Sequence, residues 1–225
     1  LLVSVMAARG CLPLLMMLIA ITLSVNEVIL NTYQTNVTSN TNNTIYLSSY
    51  DGSGTNLATG AGNIITFYTR DESGYWGNPY SRINISNTLT EARFRDDGAW
   101  VAVIDNTTNN IYLFNKAPIQ YDLNQTIDCG SRPKSISWAY DGNLLLAGLA
   151  NGNVNVYTIN STTQQFYQKQ VLFSGHSGGV SKISGRKSRF VTCGMTDNAI
   201  NIWYYNSTTG NYNTTVNQTL TNVAA

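Results

Sequence analysis

The sequence predicts an all-β chain built of four similar units of four antiparallel strands, and three observations point there. Four segments share an apolar strand, a turn, a second apolar strand, a polar turn and a third strand that closes on an aromatic residue. They read "YLSSYDGSGTNLATGAGNIITFY", "ARFRDDGAWVAVIDNTTNNIYLF", "SISWAYDGNLLLAGLANGNVNVY" and "SKISGRKSRFVTCGMTDNAINIW", and their closing aromatics Tyr68, Phe114, Tyr157 and Trp203 are 46, 43 and 46 residues apart. Asp51-Gly52, Asp97-Gly98 and Asp141-Gly142 stand where strands must reverse, and both residue types tolerate positive φ. The strands alternate, with Ile111, Leu113, Val154 and Val156 on one side and Asn110, Tyr112, Asn153 and Asn155 on the other, while no segment keeps a helical period. Units of about 40–45 residues with four strands each are the blades of a β-propeller.

The elements follow in order. Residues 1–24 carry a short basic start at Met6 to Arg9, an apolar run from Cys11 to Leu23 and a small residue at Ser24. That is the layout of a secretory signal peptide cleaved near Ser24, with an uncleaved membrane anchor as the alternative. Residues 25–44 hold an extra strand, "VNEVILNTYQ", and a linker. The blades are expected at about 45–86, 87–129, 130–174 and 175–221, with fourth strands in "YSRINIS", "YDLNQTID", "FYQKQVLF" and "NTTVNQTLT". The strand before the first blade has no counterpart after the last. A fragment of a longer chain, a ring completed by a second chain and a strand donated within an assembly all account for it, and a complete chain is expected to oligomerise through its open edges.

Composition narrows the function classes. The chain has 225 residues, enough for one core, and its 13 basic against 12 acidic residues leave no net field to gather nucleic acid or an anionic membrane. Nine sequons, at Asn36, Asn42, Asn84, Asn106, Asn124, Asn160, Asn206, Asn213 and Asn217, fit a secreted glycoprotein. After signal removal Cys129 and Cys193 remain, and in an oxidising compartment they can form one disulfide or stay separate thiols. One histidine, two mature cysteines and no Asp-rich loop make no metal site, and the glycine-rich "TGAGN" and "SGHSGG" match no phosphate-binding spacing, so no cofactor is expected.

The last unit carries the chain's only histidine beside Cys193, Asp197 and Trp203. A Cys193 thiolate, a His176 base and an Asp197 orienter would have the logic of nucleophilic catalysis. The same stretch closely resembles a WD40 repeat. Gly175-His176 matches the Gly-His before the innermost strand, Asp197 the Asp of the turn between the second and third strands, and Trp203 the terminal Trp, with Tyr204 where Asp usually follows. The other three units are degenerate versions. The resemblance implies that His176, Cys193, Asp197 and Trp203 are the hydrogen-bonded fastening of a blade, with Cys193 in the place of the family's Ser or Thr, and not a catalytic set. It also implies a non-enzymatic platform for protein partners.

Two further readings stay beside that one. A structural subunit would use the strand at residues 25–34 to join neighbours. A glycan-binding or enzymatic propeller would place its site in missing blades or in the aromatic loop "YWGNPY", where Tyr75, Trp76 and Tyr80 either form a binding tip or clamp an outer strand. Lys182, Arg186, Lys187 and Arg189 form the one basic cluster, read as a solvated hairpin or as a patch for an acidic partner.

Overall fold

A computed structural model describes residues 45–77 and 79–221. The signal or anchor segment, the extra strand at 25–34, Asn36 and Asn42 lie outside these described residues. The described chain is all-β, with no helix, and forms four antiparallel sheets. Blade 1 runs β1 (Ile45–Tyr50), β2 (Asn56–Ala61), β3 (Ile64–Thr69) and β4 (Ser81–Asn84). Blade 2 holds β5 (Leu89–Phe94), β6 (Trp100–Asp105), β7 (Asn110–Lys116) and β8 (Tyr121–Asp128). Blade 3 holds β9 (Pro133–Ala139), β10 (Leu144–Leu149), β11 (Asn153–Ile159) and β12 (Phe166–Phe173). Blade 4 holds β13 (Val180–Arg186), β14 (Arg189–Gly194) and β15 (Ile200–Asn206), and its outermost position is split between β16 (Asn211–Tyr212) and β17 (Gln218–Leu220), both paired with β15. The single strand expected in "NTTVNQTLT" is thus the short β17, preceded by a separate bridge at Asn211–Tyr212.

Within every blade the strands meander in sequence order, so each turn joins neighbours and register is set locally. One irregularity recurs. The ladder between the first and second strands shifts register between Ile45 and Leu47, between Leu89 and Glu91, opposite Gly148/Leu149, and between Val180 and Lys182. A bulge at the start of each innermost strand adds local twist, the same device in all four units.

The blades then stack face to face, β1 on β5, β5 on β9 and β9 on β13. Both faces of an inner blade are therefore buried, which explains why Asn155 is only 3% exposed although it points away from Val154 and Val156. Its amide donates to the Cys129 carbonyl at 3.2 Å, and Asn201, 46 residues on, donates to the Ser174 carbonyl at 2.7 Å. The two asparagines do the same task in successive blades, satisfying a carbonyl near the end of the preceding outer strand.

Three apolar clusters fill the seams. Phe67, Phe94, Phe114 and Tyr121 lie between blades 1 and 2, with the Phe67 and Tyr121 rings stacked at 4.4 Å. Trp100, Ile111, Leu145 and Phe166 lie between blades 2 and 3, and Leu146, Val156, Phe190 and Trp203 between blades 3 and 4. Polar clasps accompany them. Gln125 holds the backbone of Phe166 on both sides, at 2.8 and 2.7 Å, and Gln170, 45 residues later, holds Tyr212 at 2.8 and 3.0 Å. On the inner side Ser49 accepts from the Phe94 amide and Ser137 from the Gly185 amide.

The Asp-Gly turns are not equivalent. Gly98 and Gly142 take φ of 70° and 82°, whereas the left-handed residue of the first turn is Gly54, at 68°. Gly52 is needed for another reason: its amide donates to the Asp96 carbonyl of the next blade at 2.8 Å, and a Cβ there would meet that oxygen at 2.7 Å.

Candidate functional site

The conspicuous polar constellation lies at one end of blade 4. His176, on the loop entering β13, is 6% exposed. Its Nδ1 lies 2.9 Å from Asp197 Oδ2 and its Nε2 lies 2.9 Å from Thr192 Oγ1. Trp203 Nε1 donates to the same threonine oxygen at 3.2 Å. The partners dictate the protons. A carboxylate only accepts and an indole only donates, so the chain runs Trp203 to Thr192 to His176 to Asp197, with the imidazole protonated at Nδ1. Thr192 accepts from Trp203 and donates to His176 Nε2, and His176 in turn donates from Nδ1 to Asp197, so the two middle members each accept one bond and donate the next.

Cys193 is not part of this set, which corrects the expectation that it occupies the hydroxyl position. On β14 successive side chains alternate between faces. Phe190 pairs with Trp203 and Thr192 with Asn201, so Thr192 is on the side packed against blade 3 and Cys193 on the other. Counting back from Asp197 misplaced the hydroxyl by one residue, and a one-residue slip changes the face. Parity with Phe190 and Trp203 was the signal that identifies Thr192. The Cys193, His176 and Asp197 triad is not assembled either, because both ring nitrogens of His176 are occupied by Asp197 and Thr192.

Asp197 also accepts from the backbone amides of Ser177 and Ala199, at 3.1 Å each. Burial by itself would raise its carboxyl, but the hydrogen bonds from His176, Ala199 and Ser177 outweigh that and hold its pKa below the usual value. Asp105, which sequence reading passed over, and Asp51, read there only as part of an Asp-Gly turn, do the same elsewhere. Asp105 takes the Thr107 and Thr108 amides and the hydroxyls of Thr108 and Tyr112, and Asp51 takes the Thr55 and Asn56 amides and the Asn56 side chain. In both, burial pushes the pKa up and the hydrogen bonds bring it below the usual value. The sequence signal was an Asp followed within a few residues by Ser or Thr.

The sign of the linkage follows. These carboxyls have folded pKa values below the unfolded value of about 3.9, so their stabilisation is complete above that pH and is lost as pH falls through the folded values. Thermal scans are expected to show a melting temperature that drops below about pH 4, and Asp105→Asn is expected to be less stable at neutral pH with a flatter acid limb. An unchanged acid limb in that variant would contradict the assignment.

Both described cysteines are free thiols, so the bridge entertained between Cys129 and Cys193 is not formed. Burial pushes the Cys129 thiol up to about 11, a hydrogen bond with Tyr157 being a smaller, opposing influence. Such a thiol is a poor nucleophile at neutral pH. Alkylation of the native chain at pH 8 is expected to modify Cys193 while Cys129 reacts only after unfolding; rapid labelling of native Cys129 would refute this.

The aromatic loop divides. Tyr80 packs edge-on against Tyr121, with ring centroids 6.2 Å apart, and donates its hydroxyl to the Ala117 carbonyl at 2.9 Å, so it clamps blade 1 to blade 2. Trp76 lies 5.7 Å from the Tyr50 ring, and Tyr75 is 63% exposed. Only Tyr75 stands free as a tip. Among the sequon asparagines, Asn160 and Asn206 are exposed and cap their own turns, accepting from the amides two and three residues on. Asn84, Asn106 and Asn217 are exposed, and Asn124 and Asn213 half-buried.

The comparisons with known proteins agree with this geometry at the level of fold. No family model matches the chain, and no curated protein sequence matches it. Among solved structures it is similar to the β-propeller domain of Cps50 (Swd1) from Myceliophteria thermophila, with 16% identity, a TM-score of 0.59, and 73% of this chain and 54% of that one covered. It is similar in the same way to Sqt1 of Saccharomyces cerevisiae, with 16% identity, a TM-score of 0.60, and 72% of this chain and 45% of that one covered. The aligned part spans about half the length of these structures. At that identity the likeness shows the β-propeller fold.

Proposed function

We propose that this propeller is a non-enzymatic scaffold on which other proteins assemble, and that it works in the secretory pathway or outside the cell. The observation that carries the reading is the fate of the chain's one nucleophile-base-acid constellation. His176 and Asp197 spend their hydrogen-bonding capacity on Thr192, Trp203 and backbone amides, and Cys193 faces away. Among the described residues no group of three His, Cys, Asp or Glu side chains is placed to hold a metal ion. The apolar run ending at Leu23 and the exposed sequons support the secretory setting.

Cross-linking of the tagged full chain in its native extract is expected to trap a stoichiometric protein partner. Saturable turnover of an acyl or glycosyl substrate by the purified chain would overturn the reading. Intact-mass spectrometry of the protein expressed in eukaryotic cells is expected to show loss of about the first 24 residues and added hexose. A glycan-binding reading rests on the 63% exposed Tyr75. Binding to a glycan array that disappears in Tyr75→Ala would favour it.

A further inference from the structure

The seam between blades 3 and 4 brings two tyrosines together at the end where β9 turns into β10. Tyr140, in that turn, and Tyr205, near the end of β15, have ring centroids 4.2 Å apart and planes inclined at 37°, so the rings are in van der Waals contact. Both are half-buried and pack against the apolar cluster of the seam, one from each blade. Their contact is set by two described blades, and whatever adjoins the outer faces of blades 1 and 4 does not affect it.

The backbone fixes the pair. The Tyr140 amide donates to the Lys187 carbonyl at 2.9 Å and the Tyr205 amide to the Ser188 carbonyl at 2.7 Å, so both tyrosines are anchored on the two residues that join β13 to β14. Tyr140 keeps its place at a φ of 50°, in the left-handed region that a bulky side chain seldom adopts. In the seam between blades 1 and 2 the corresponding donors are Gly52, to Asp96, and Lys116, to Ala99, so that seam holds no such pair. Two other tyrosine pairs are described, Tyr80 with Tyr121 at 6.2 Å and Tyr205 with Tyr212 at 5.3 Å. Their planes are inclined at 74°, and Tyr121 and Tyr212 are no more than 2% exposed. Among the described pairs, Tyr140 and Tyr205 alone are in close contact with both rings open to solvent.

Two phenols held in contact are poised for oxidative coupling. We propose that Tyr140 and Tyr205 form a modification site at which hydrogen peroxide, acting through a haem peroxidase, joins them into dityrosine and so ties blade 3 to blade 4 covalently. Each phenol gives up one electron and its hydroxyl proton, leaving a phenoxyl radical with spin on the carbons ortho to oxygen. The two radicals form one ortho–ortho carbon–carbon bond, and the hydrogens on the joined carbons move to the two oxygens as the rings regain aromaticity. The peroxide takes up the two electrons and two protons, its O–O bond breaks, and two waters leave. Contact makes the coupling intramolecular, which favours this pair over the more exposed Tyr75 and Tyr167. The bond closes a loop over residues 140–205 and removes conformations from the unfolded chain. The inference goes beyond the scaffold reading, and the extracellular setting enters only as the source of the oxidant.

The test treats the full chain, with Cys193 capped by alkylation, with hydrogen peroxide and a haem peroxidase. Expected are dityrosine fluorescence in the monomer, an intact mass lower by two hydrogen atoms, and a cross-linked peptide pair containing Tyr140 and Tyr205. The melting temperature should rise by several degrees. Tyr140→Phe and Tyr205→Phe keep the rings and should melt within a few degrees of the unoxidised parent, yet lose most of the monomer's dityrosine signal and the rise in melting temperature. Tyr75→Phe should lose neither.

Dityrosine confined to covalent dimers linked through Tyr75 or Tyr167, a monomer signal that survives Tyr205→Phe, or a link that leaves the melting temperature unchanged would each overturn the proposal. A link formed in a secreted-expression product that still retains residues 1–24 would support the site and count against the secretory setting.

Discussion

Thr192→Ala is expected to destabilise the protein by about 2–4 kcal/mol, whereas the neighbouring Cys193→Ser should fall within about 0.5 kcal/mol of the parent. Thr192 is fully buried and is the sole partner joining Trp203 Nε1 to His176 Nε2. Alanine leaves an indole N–H and an imidazole nitrogen unpaired in a dry seam, and each orphan costs about 1–3 kcal/mol. Thr192→Ser keeps the hydroxyl and should lose only the packing of one methyl group. Cys193 makes none of these contacts, so the outcome separates the two assignments of the hydroxyl position. Thermal or urea denaturation of the three variants measures it. Equal losses in Thr192→Ala and Cys193→Ser would mean the chain of hydrogen bonds does not run through Thr192.

Phe67→Ala is expected to cost about 3–5 kcal/mol, the usual range for deleting a large buried aromatic. Phe67 is 0% exposed and touches three rings of the next blade, Tyr121 at 4.4 Å, Phe114 at 5.8 Å and Phe94 at 6.4 Å. Its removal opens a cavity at the seam and withdraws the support under Tyr121, against which Tyr80 packs. Tyr75→Ala, at the exposed tip of the same loop, should leave stability unchanged within about 0.5 kcal/mol. Hydrogen exchange adds a spatial check. In Phe67→Ala, protection should fall first in β1 to β4, and an equal loss across all four blades would contradict a local seam.

The two predictions concern residues of different legibility. Trp203, His176 and Asp197 could be read from the sequence because the last unit resembles a WD40 repeat closely and they stand at the positions of its polar fastening. Thr192 was missed by one position because the interval was counted from the turn, where loops vary, instead of from the strand partner, where parity is strict. The aromatic loop was readable as aromatic but not as divided. Whether Tyr80 clamps or binds depends on the Ala117 carbonyl, 37 residues away, and local sequence carries no record of that distance.

The paired devices Asn155 with Asn201 and Gln125 with Gln170 show the same limit from the other side. Their spacings of 46 and 45 residues are visible in the sequence, yet nothing local distinguishes them from the many other polar residues of a chain rich in Asn, Thr and Ser. They gain meaning only when a second blade supplies the backbone groups they satisfy. Asp105 and Asp51, by contrast, are local: Asp with Ser or Thr close behind is a turn that caps itself, and it is readable without tertiary information.

What the sequence by itself determined about this protein is its repeat: an all-β chain of four blades, with reversals at Gly- and Asp-rich turns and a polar fastening in the last unit. These are properties of strand period, turn chemistry and residue type, which act over a few neighbours. Only the tertiary structure decided which face each strand side chain meets, hence Thr192 in place of Cys193, and which of the two states left open for Cys129 and Cys193 is present, two free thiols. The physical reason is that burial and pairing are set by the neighbouring blade. Val156 on β11 is 1% exposed because blade 4 packs on its face, and a valine alone carries no record of that neighbour.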